Sequence, residues 1–93
     1  PVDETKLTFK SDTTLTTYSS SPEKLRAFCG TCGSPIYSKT DKAPGVLRIR
    51  AGTLDTPLDT DIKCHFFVAD KANWWTIAKD GKPRFDDYPP DRK

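Results

Sequence analysis

Residues 25–37 read LRAFCGTCGSPIY, and this stretch organises the fold. Leu25, Ala27 and Cys29 lie on one face of a predicted β-strand, because side chains two positions apart in a strand point the same way. Ile36 and Tyr37 form a short return strand. We therefore predict a hairpin whose tip runs from Cys29 to Ser34. Two thiols three positions apart, each followed by a glycine, are typical of half of a structural zinc site.

Cys29 and Cys32 admit three interpretations: a zinc knuckle, a redox dithiol, or two small buried cysteines. Glycine after each cysteine permits the tight backbone that turns amide N–H groups toward the thiolates, which favours zinc. A redox pair needs a helix that begins at the first thiol. The residues after Cys32 are Gly33-Ser34-Pro35 and then a strand, so no helix begins there. We predict Cys29 and Cys32 as metal ligands.

Structural zinc takes four ligands, and the sequence offers one further cysteine and one histidine, Cys64 and His65. Consecutive strand residues point to opposite faces, so both cannot reach one ion without a bulge. Cys64 shares its face with Ile62, Phe66 and Val68, which favours a core cysteine. His65 either lines a pocket or hydrogen-bonds at the surface. Two knuckles in a homodimer are a further route to a four-thiolate site.

Short alternating runs elsewhere in the sequence predict a mainly β protein. The run from Ile62 to Ala69 is the strongest of them. A single helical turn is expected around Trp74 and Trp75. Further strands are predicted at Lys6 to Lys10, Thr13 to Ser19 and Val46 to Ala51, and a hairpin turn is predicted at Ser11-Asp12. The helical turn around the two tryptophans lies within Asp70 to Ile77.

Composition excludes several classes of function. The 93 residues suffice for one domain, and their 15 basic and 13 acidic side chains are scattered, so we expect no nucleic-acid partner. No window approaches the roughly 18 apolar residues that span a bilayer, so no membrane association is expected. An odd number of cysteines does not suggest a secreted disulfide scaffold. We expect a cytoplasmic protein with reduced thiols.

Several motifs together resemble the glutathione-dependent formaldehyde-activating enzyme family, whose superfamily includes centromere protein V. The clearest is Phe28-Cys29-Gly30-Thr31-Cys32-Gly33-Ser34-Pro35. The resemblance covers about Leu7 to Phe85. Its other parts are Tyr18-Ser19-Ser20-Ser21-Pro22 with Arg26, then Gly52-Thr53-Leu54-Asp55, His65-Phe66-Phe67-Val68, Lys71-Ala72 with Trp74-Trp75, and Pro83-Arg84-Phe85.

The resemblance implies a β-tent of small antiparallel sheets pinned by a zinc knuckle. It implies a structural zinc held by an N-terminal Cys-x-Cys pair and a later Cys-x-x-Cys pair, which Cys29 and Cys32 match. A second, catalytic zinc is bound in the family by a Cys-x-Cys-x-x-Cys run. The implied activity is the reversible addition of glutathione to formaldehyde, with glutathione as substrate and a small thiol adduct as product.

This sequence contains neither the first Cys-x-Cys pair nor the catalytic cysteine run. It has no methionine and begins at Pro1. We therefore expect residues 1–93 to form a single domain that is the C-terminal part of a family member. No residue matches the catalytic cysteines, so the resemblance assigns no catalytic residue here.

Two functions compete at this point. The first is a zinc-binding carbon–sulfur lyase-like protein. The second is a non-catalytic, zinc-stabilised binding module with an aromatic and basic surface, although filling of the core is the favoured role for the two tryptophans. The residues of that surface would be Trp74, Trp75, Phe66, Phe67, Tyr18, Arg48 and Arg50.

Overall fold

A computed structural model describes residues 1–92 of the chain. The chain divides into two compact units, Pro1–Pro57 and Leu58–Lys93, which we describe separately. The first contains all of the strands, and the second is built mainly of loops and turns. The expectation of a single domain stays a prediction.

The first unit is one antiparallel sheet of five strands in the order β1-β5-β4-β3-β2. The mainly β prediction is confirmed. The strands form one continuous sheet rather than several small ones, because the neighbouring hairpins share strands β3 and β4. The strands are β1 (Val2–Asp3), β2 (Leu15–Ser21), β3 (Lys24–Cys29), β4 (Pro35–Thr40) and β5 (Val46–Ile49).

The predicted hairpin is strands β3 and β4. Ala27 pairs with Tyr37, and the register then shifts so that Phe28 pairs with Pro35. This bulge at the tip end of the strands lets the chain turn within five residues, from the end of β3 to the start of β4. Ala27 is 1% exposed, so its side chain lies in the core of the sheet.

Strand β5 follows its predicted alternation over most of its length. Leu47 is 4% exposed and forms the core of the sheet together with Ala27. The strand ends at Ile49, two residues earlier than predicted, because Ala51–Thr53 is a 3₁₀ turn closed by an N–H bond from Leu54 to Ala51. Ala51, which strand alternation would place on the same face as Leu47 and Ile49, is consequently exposed.

The strand predicted at Lys6 to Lys10 is wrong, and so is the hairpin turn at Ser11-Asp12. Val2–Asp3 pairs with β5 instead, and Glu4–Lys6 is a 3₁₀ turn capped by Asp3, which accepts the Thr5 N–H at 2.9 Å. The edge of β5 is thereby occupied before the chain reaches Leu7. Phe9 instead packs its ring 6.2 Å from that of Tyr37.

The strand predicted at Ile62 to Ala69 is also wrong. Among the described residues, its only ladder pairing is a single parallel bridge between His65 and Arg84. Phe67 has a φ of 57°, a left-handed conformation that ends any extended run, and Val68–Asp70 is a 3₁₀ turn. The alternating pattern lacks a neighbouring strand to pair with in the described part of the second unit.

The tryptophans do not fill a core in the described residues. Trp74 is 78% exposed and Trp75 is 59% exposed. The expected helical turn is a single reverse turn, in which the Trp75 N–H donates to the Ala72 carbonyl at 3.0 Å. Within residues 1–92 no helix is both long and apolar enough to cross a membrane.

Candidate functional site

The candidate site is the tip of the β3–β4 hairpin. The Cys29 N–H donates to the Ser34 carbonyl at 2.9 Å, and the Gly33 N–H donates to the Cys29 carbonyl at 2.7 Å. Gly33 has a φ of 79°, a conformation that strains other residues. These bonds close the turn and fix the backbone that carries Cys29 and Cys32.

The tip also packs closely against the start of β2. The Gly30 N–H donates to the Thr14 carbonyl at 2.7 Å. A Cβ at Gly30 would lie 2.5 Å from the hydroxyl of Thr16 and 3.2 Å from the Thr14 carbonyl. Glycine is therefore required here by close approach, and this approach brings the Thr14 side chain to the Cys29 sulfur.

Cys29 lies in surroundings that favour the thiolate. Amide N–H bonds, of which that of Cys32 is the strongest, lower the pKa of Cys29 from 9.0 to about 6. The Thr14 hydroxyl, whose Oγ1 lies 3.6 Å from Sγ, and the Thr31 N–H act in the same direction. A cysteine that is deprotonated near neutral pH is a ready nucleophile and metal ligand. Cys29 is half-buried and Cys32 is exposed.

The tip brings the two predicted ligands together, since the Cys32 side chain also hydrogen-bonds to Cys29. In the described part of the chain, no cluster of three or more His, Cys, Asp or Glu side chains could hold a metal ion. The assignment of Cys29 and Cys32 as metal ligands stays a prediction. Zinc chemistry fits these donors, because two adjacent sulfurs, one of them readily ionised, suit two corners of a tetrahedral thiolate site.

Cys64 does not have the core surroundings expected for it. It is half-buried, but Ile62 on the same predicted face is 57% exposed and Phe66 is 39% exposed. Alternation fails here because the segment is not a strand, so residues two apart do not share a buried face. The structure places Cys64 in the second unit as a partly accessible free thiol.

His65 hydrogen-bonds to a carboxylate within the second unit. Its Nε2 lies 2.8 Å from Asp80 Oδ2, while the Lys82 N–H donates to Asp80 Oδ1 at 3.0 Å. The Lys82 N–H, followed by the His65 side chain, lowers the pKa of Asp80. Neither side chain is more than about a quarter exposed. Of the two roles considered for His65, the structure shows the hydrogen-bonded one.

Two partners in these contacts were not anticipated from the sequence. Thr14 belongs to a threonine-rich run in which nothing marks one hydroxyl for the Cys29 sulfur. Asp80 is fifteen residues from its histidine. The Asp80-Gly81 dipeptide is a turn signal, and Gly81 has a φ of 72°, but a turn signal does not name the partner of the aspartate.

A cavity of about 500 Å³ lies beside the tip, entirely within the first unit. Its wall combines aromatic rings, two arginines and the backbone of the tip itself. This volume falls within the range of small-molecule sites. The lining residues are Tyr18, Arg26, Ala27, Phe28, Gly33, Pro35, Tyr37 and Arg50.

Comparison with models of protein families gives a match. No curated protein and no solved structure matches the chain. The model of the family described as glutathione-dependent formaldehyde-activating enzyme matches residues 2–70, which includes the whole sheet, the cysteine tip and the start of the second unit. The chain therefore belongs to the glutathione-dependent formaldehyde-activating enzyme family.

Proposed function

We propose that this chain is a zinc-binding, carbon–sulfur lyase-like protein that catalyses formation of the adduct of glutathione and formaldehyde. The observation that carries the proposal is the cysteine tip, which lies inside the matched residues 2–70 and favours a thiolate at Cys29. A thiolate is the form in which cysteine binds zinc. Family membership supplies the substrate class.

Cys29 and Cys32 would hold the zinc, and the bound ion would act as a structural staple for the hairpin. The chain's own contribution is to position the two sulfurs. The amide N–H groups of Thr31 and Cys32 face the Cys29 sulfur, and Thr14 contacts it from the residue before β2. These donors offset the repulsion between two neighbouring thiolates.

The proposed reaction adds the sulfur of glutathione to the carbonyl carbon of formaldehyde. A carbon–sulfur bond forms, the carbonyl π-electrons move to oxygen, and the proton lost from the thiol ends on that oxygen. The product is S-hydroxymethylglutathione, with no net oxidation or reduction. The cavity beside the tip has room for a small adduct. The sequence contains no Cys-x-Cys-x-x-Cys run, so no catalytic residue is assigned.

Exchange spectroscopy with ¹³C-labelled formaldehyde and glutathione tests the proposal on the zinc-loaded chain. We expect formation of the adduct to be faster than in buffer, and Cys29→Ser with Cys32→Ser to remove both the acceleration and the bound zinc. The matched control is Cys64→Ser, which we expect to retain both. Zinc-loaded protein that leaves the rate unchanged would overturn the lyase proposal.

A homodimer is the proposed way to complete the zinc site, with two tips sharing one ion. Elemental analysis should then give half a zinc per chain, and a chelator should convert dimer to monomer in sedimentation. A full equivalent of zinc in a monomer would contradict this arrangement.

The exposure of Trp74 and Trp75 favours a second candidate, a zinc-stabilised binding module without catalysis. Their rings meet edge to face at 6.2 Å and leave most of both indoles accessible. Exposed aromatic pairs are common in binding surfaces. Saturable glutathione binding, followed by tryptophan fluorescence and unaccompanied by faster adduct formation, would support the module against the lyase.

A further inference from the structure

We propose that Arg26 and Arg50 form the carboxylate-recognition site of this protein, in the cavity beside the cysteine tip. The identity of the ligand as glutathione or its adduct rests on the function proposed above. The existence of an anion site rests on the geometry of the cavity alone. No functional assignment from the sequence placed Arg26 in a binding site.

The register of the sheet places three side chains of the cavity wall on one face. Arg26 and Phe28 are two apart on β3 and therefore point the same way. Tyr18 pairs directly with Arg26 across β2 and β3, so it shares this face, and its ring meets that of Phe28 edge to face at 5.9 Å. These residues give the cavity an aromatic wall that also carries a cation.

Arg26 is oriented before any ligand arrives. It is half-buried, and its Nε donates to Ser20 Oγ at 3.0 Å. The bond leaves the terminal nitrogens of the guanidinium, which form the fork that binds carboxylates, free of the serine. Arg50 is exposed, and its backbone N–H donates to the Ile36 carbonyl at 2.9 Å, which anchors its main chain to the end of β4.

The charge of the cavity is not balanced by the protein. Within residues 1–92, neither arginine forms an ion pair, and the cavity wall contains no acidic residue. Two cations that line one partly enclosed cavity repel each other, and an anion bound between them offsets that repulsion. Arginine binds planar carboxylates through two parallel hydrogen bonds, which makes a carboxylate the best-matched anion.

The cavity thus suits a ligand with a carboxylate at each end and an apolar middle. Glutathione has two terminal carboxylates, one of them beside an ammonium group, joined by a chain of methylene groups, two amide bonds and a carbon that carries the thiol side chain. Phe28 and Gly33 line the cavity and are the residues next to Cys29 and Cys32 in the sequence. A ligand held by the arginines therefore lies against the tip that carries Cys32.

Calorimetric titration of the full chain with glutathione tests the site. We expect Arg26→Gln to weaken binding about tenfold, because Arg26 is half-buried and its charged hydrogen bonds to the ligand are therefore strong. Arg50→Gln should weaken binding about threefold, because exposed charges interact less strongly. The matched control is Lys39→Gln, which removes a strand cation that pairs with Leu25, is not part of the cavity wall and should leave the affinity unchanged.

Ligand variants separate the carboxylates from the thiol. We expect S-methylglutathione, which keeps both carboxylates, to bind nearly as well as glutathione. The diethyl ester, which keeps the thiol and lacks both carboxylates, should bind at least tenfold more weakly. Raising the salt concentration should weaken glutathione binding but not ester binding. Equal binding of the acid and the ester would overturn the site.

The outcomes also distinguish this site from the proposed function. Glutathione binding that survives both arginine substitutions, in folded variants, overturns the site and leaves the lyase proposal standing. If succinate, another dicarboxylate, binds and requires Arg26 while glutathione does not bind, the site is supported and glutathione is removed as its ligand. Failure of both glutathione and succinate to bind overturns the site. Arg50→Gln guards against misfolding, because its side chain forms no bond within residues 1–92.

Discussion

The same alternating sequence pattern forms a strand in one unit of this chain and an irregular segment in the other. Residues 47–49 and residues 62–66 both alternate apolar and polar side chains. The first is a strand with neighbours on both sides, β4 and β1. The second is an irregular segment with one bridge. Alternation describes which side chains share a face, but a strand also needs partners for its backbone.

The backbone hydrogen bonds of the second unit are arranged differently. Its main-chain bonds run between the segment at 65–68 and the segment at 83–87, for example from the Phe85 N–H to the His65 carbonyl at 2.9 Å. Phe67 and Tyr88 pack edge to face at 4.8 Å, and the Arg92 guanidinium lies 5.1 Å from the Phe66 ring centre. Irregular main-chain bonds together with these side-chain contacts join the two segments in place of a regular ladder.

The largest expected effect tests whether burial differs between the units. Leu47→Ala should lower the free energy of unfolding of the sheet by about 2–5 kcal/mol, because it removes a core side chain and leaves a cavity. The matched change Ile62→Ala, at a 57% exposed residue, should alter stability by no more than about 0.5 kcal/mol.

Urea unfolding can report on each unit separately. Both tryptophans lie in the second unit, so fluorescence follows that unit, while far-ultraviolet circular dichroism follows the strands. An Ile62→Ala cost as large as that of Leu47→Ala would show that the second unit has a core of its own and would remove the contrast.

A smaller effect is expected at the tip. Gly30→Ala places a methyl group against Thr16 and the Thr14 carbonyl, so we expect a loss of about 1–3 kcal/mol in thermal or urea unfolding. Gly52→Ala is the matched control, since nothing lies within 4 Å of the methyl group it would add and its φ is not positive. A neutral Gly30→Ala would mean that the approach of the tip to β2 is not tight.

The pH dependence of Cys29 gives a third test, on metal-free protein. Alkylation of Cys29, followed by peptide mass spectrometry, should rise with a midpoint near pH 6, because amide and hydroxyl donors lower its pKa to about 6. Thr14→Val should move the midpoint upward, while Thr17→Val, nearby on β2, should not. A midpoint at the ordinary pKa of 9.0 would contradict the assignment of these donors.

The sign of the linked stability follows from the same shift. The folded pKa of Cys29 is lower than the unfolded value, so the thiolate stabilises the fold fully above the unfolded pKa of 9.0. That contribution declines as the pH falls and is lost once the pH passes through about 6. Unfolding of metal-free wild type against Cys29→Ser over this range should show the difference growing with pH.

The smallest effect is expected in the second unit. Asp80→Asn removes the charge that faces His65, so the Phe85 amide, which bonds to the His65 carbonyl, should exchange its hydrogen about two- to fivefold faster. Asp86→Asn is the matched control.

Because the folded pKa of Asp80 is lowered, the contribution of its carboxylate is present above the unfolded value near 3.8 and is lost as the pH falls through the folded value. The difference between wild type and Asp80→Asn should therefore vanish in acid. A difference that persists at low pH would show that the side chain acts through its shape and not its charge.

Much of the first unit could be predicted from sequence because its signals are local. The hairpin around Cys29 and Cys32 follows from alternation and from glycines placed where a tight turn needs them. Leu47 and Ala27 could be assigned to the core from period-two patterning alone. Leu7 and Phe9 show the limit, because their pattern is equally regular and the edge they needed was already occupied by Val2–Asp3.

The sequence by itself determined the mainly β class, the cysteine tip and the family, because these depend on residue types at fixed spacings. Only the tertiary structure decided which alternating runs became strands, since pairing depends on distant partners. Only it placed Thr14 beside the Cys29 sulfur and Arg26 with Arg50 around one cavity. Residues far apart in sequence meet through the register of the sheet, and no local pattern encodes that register.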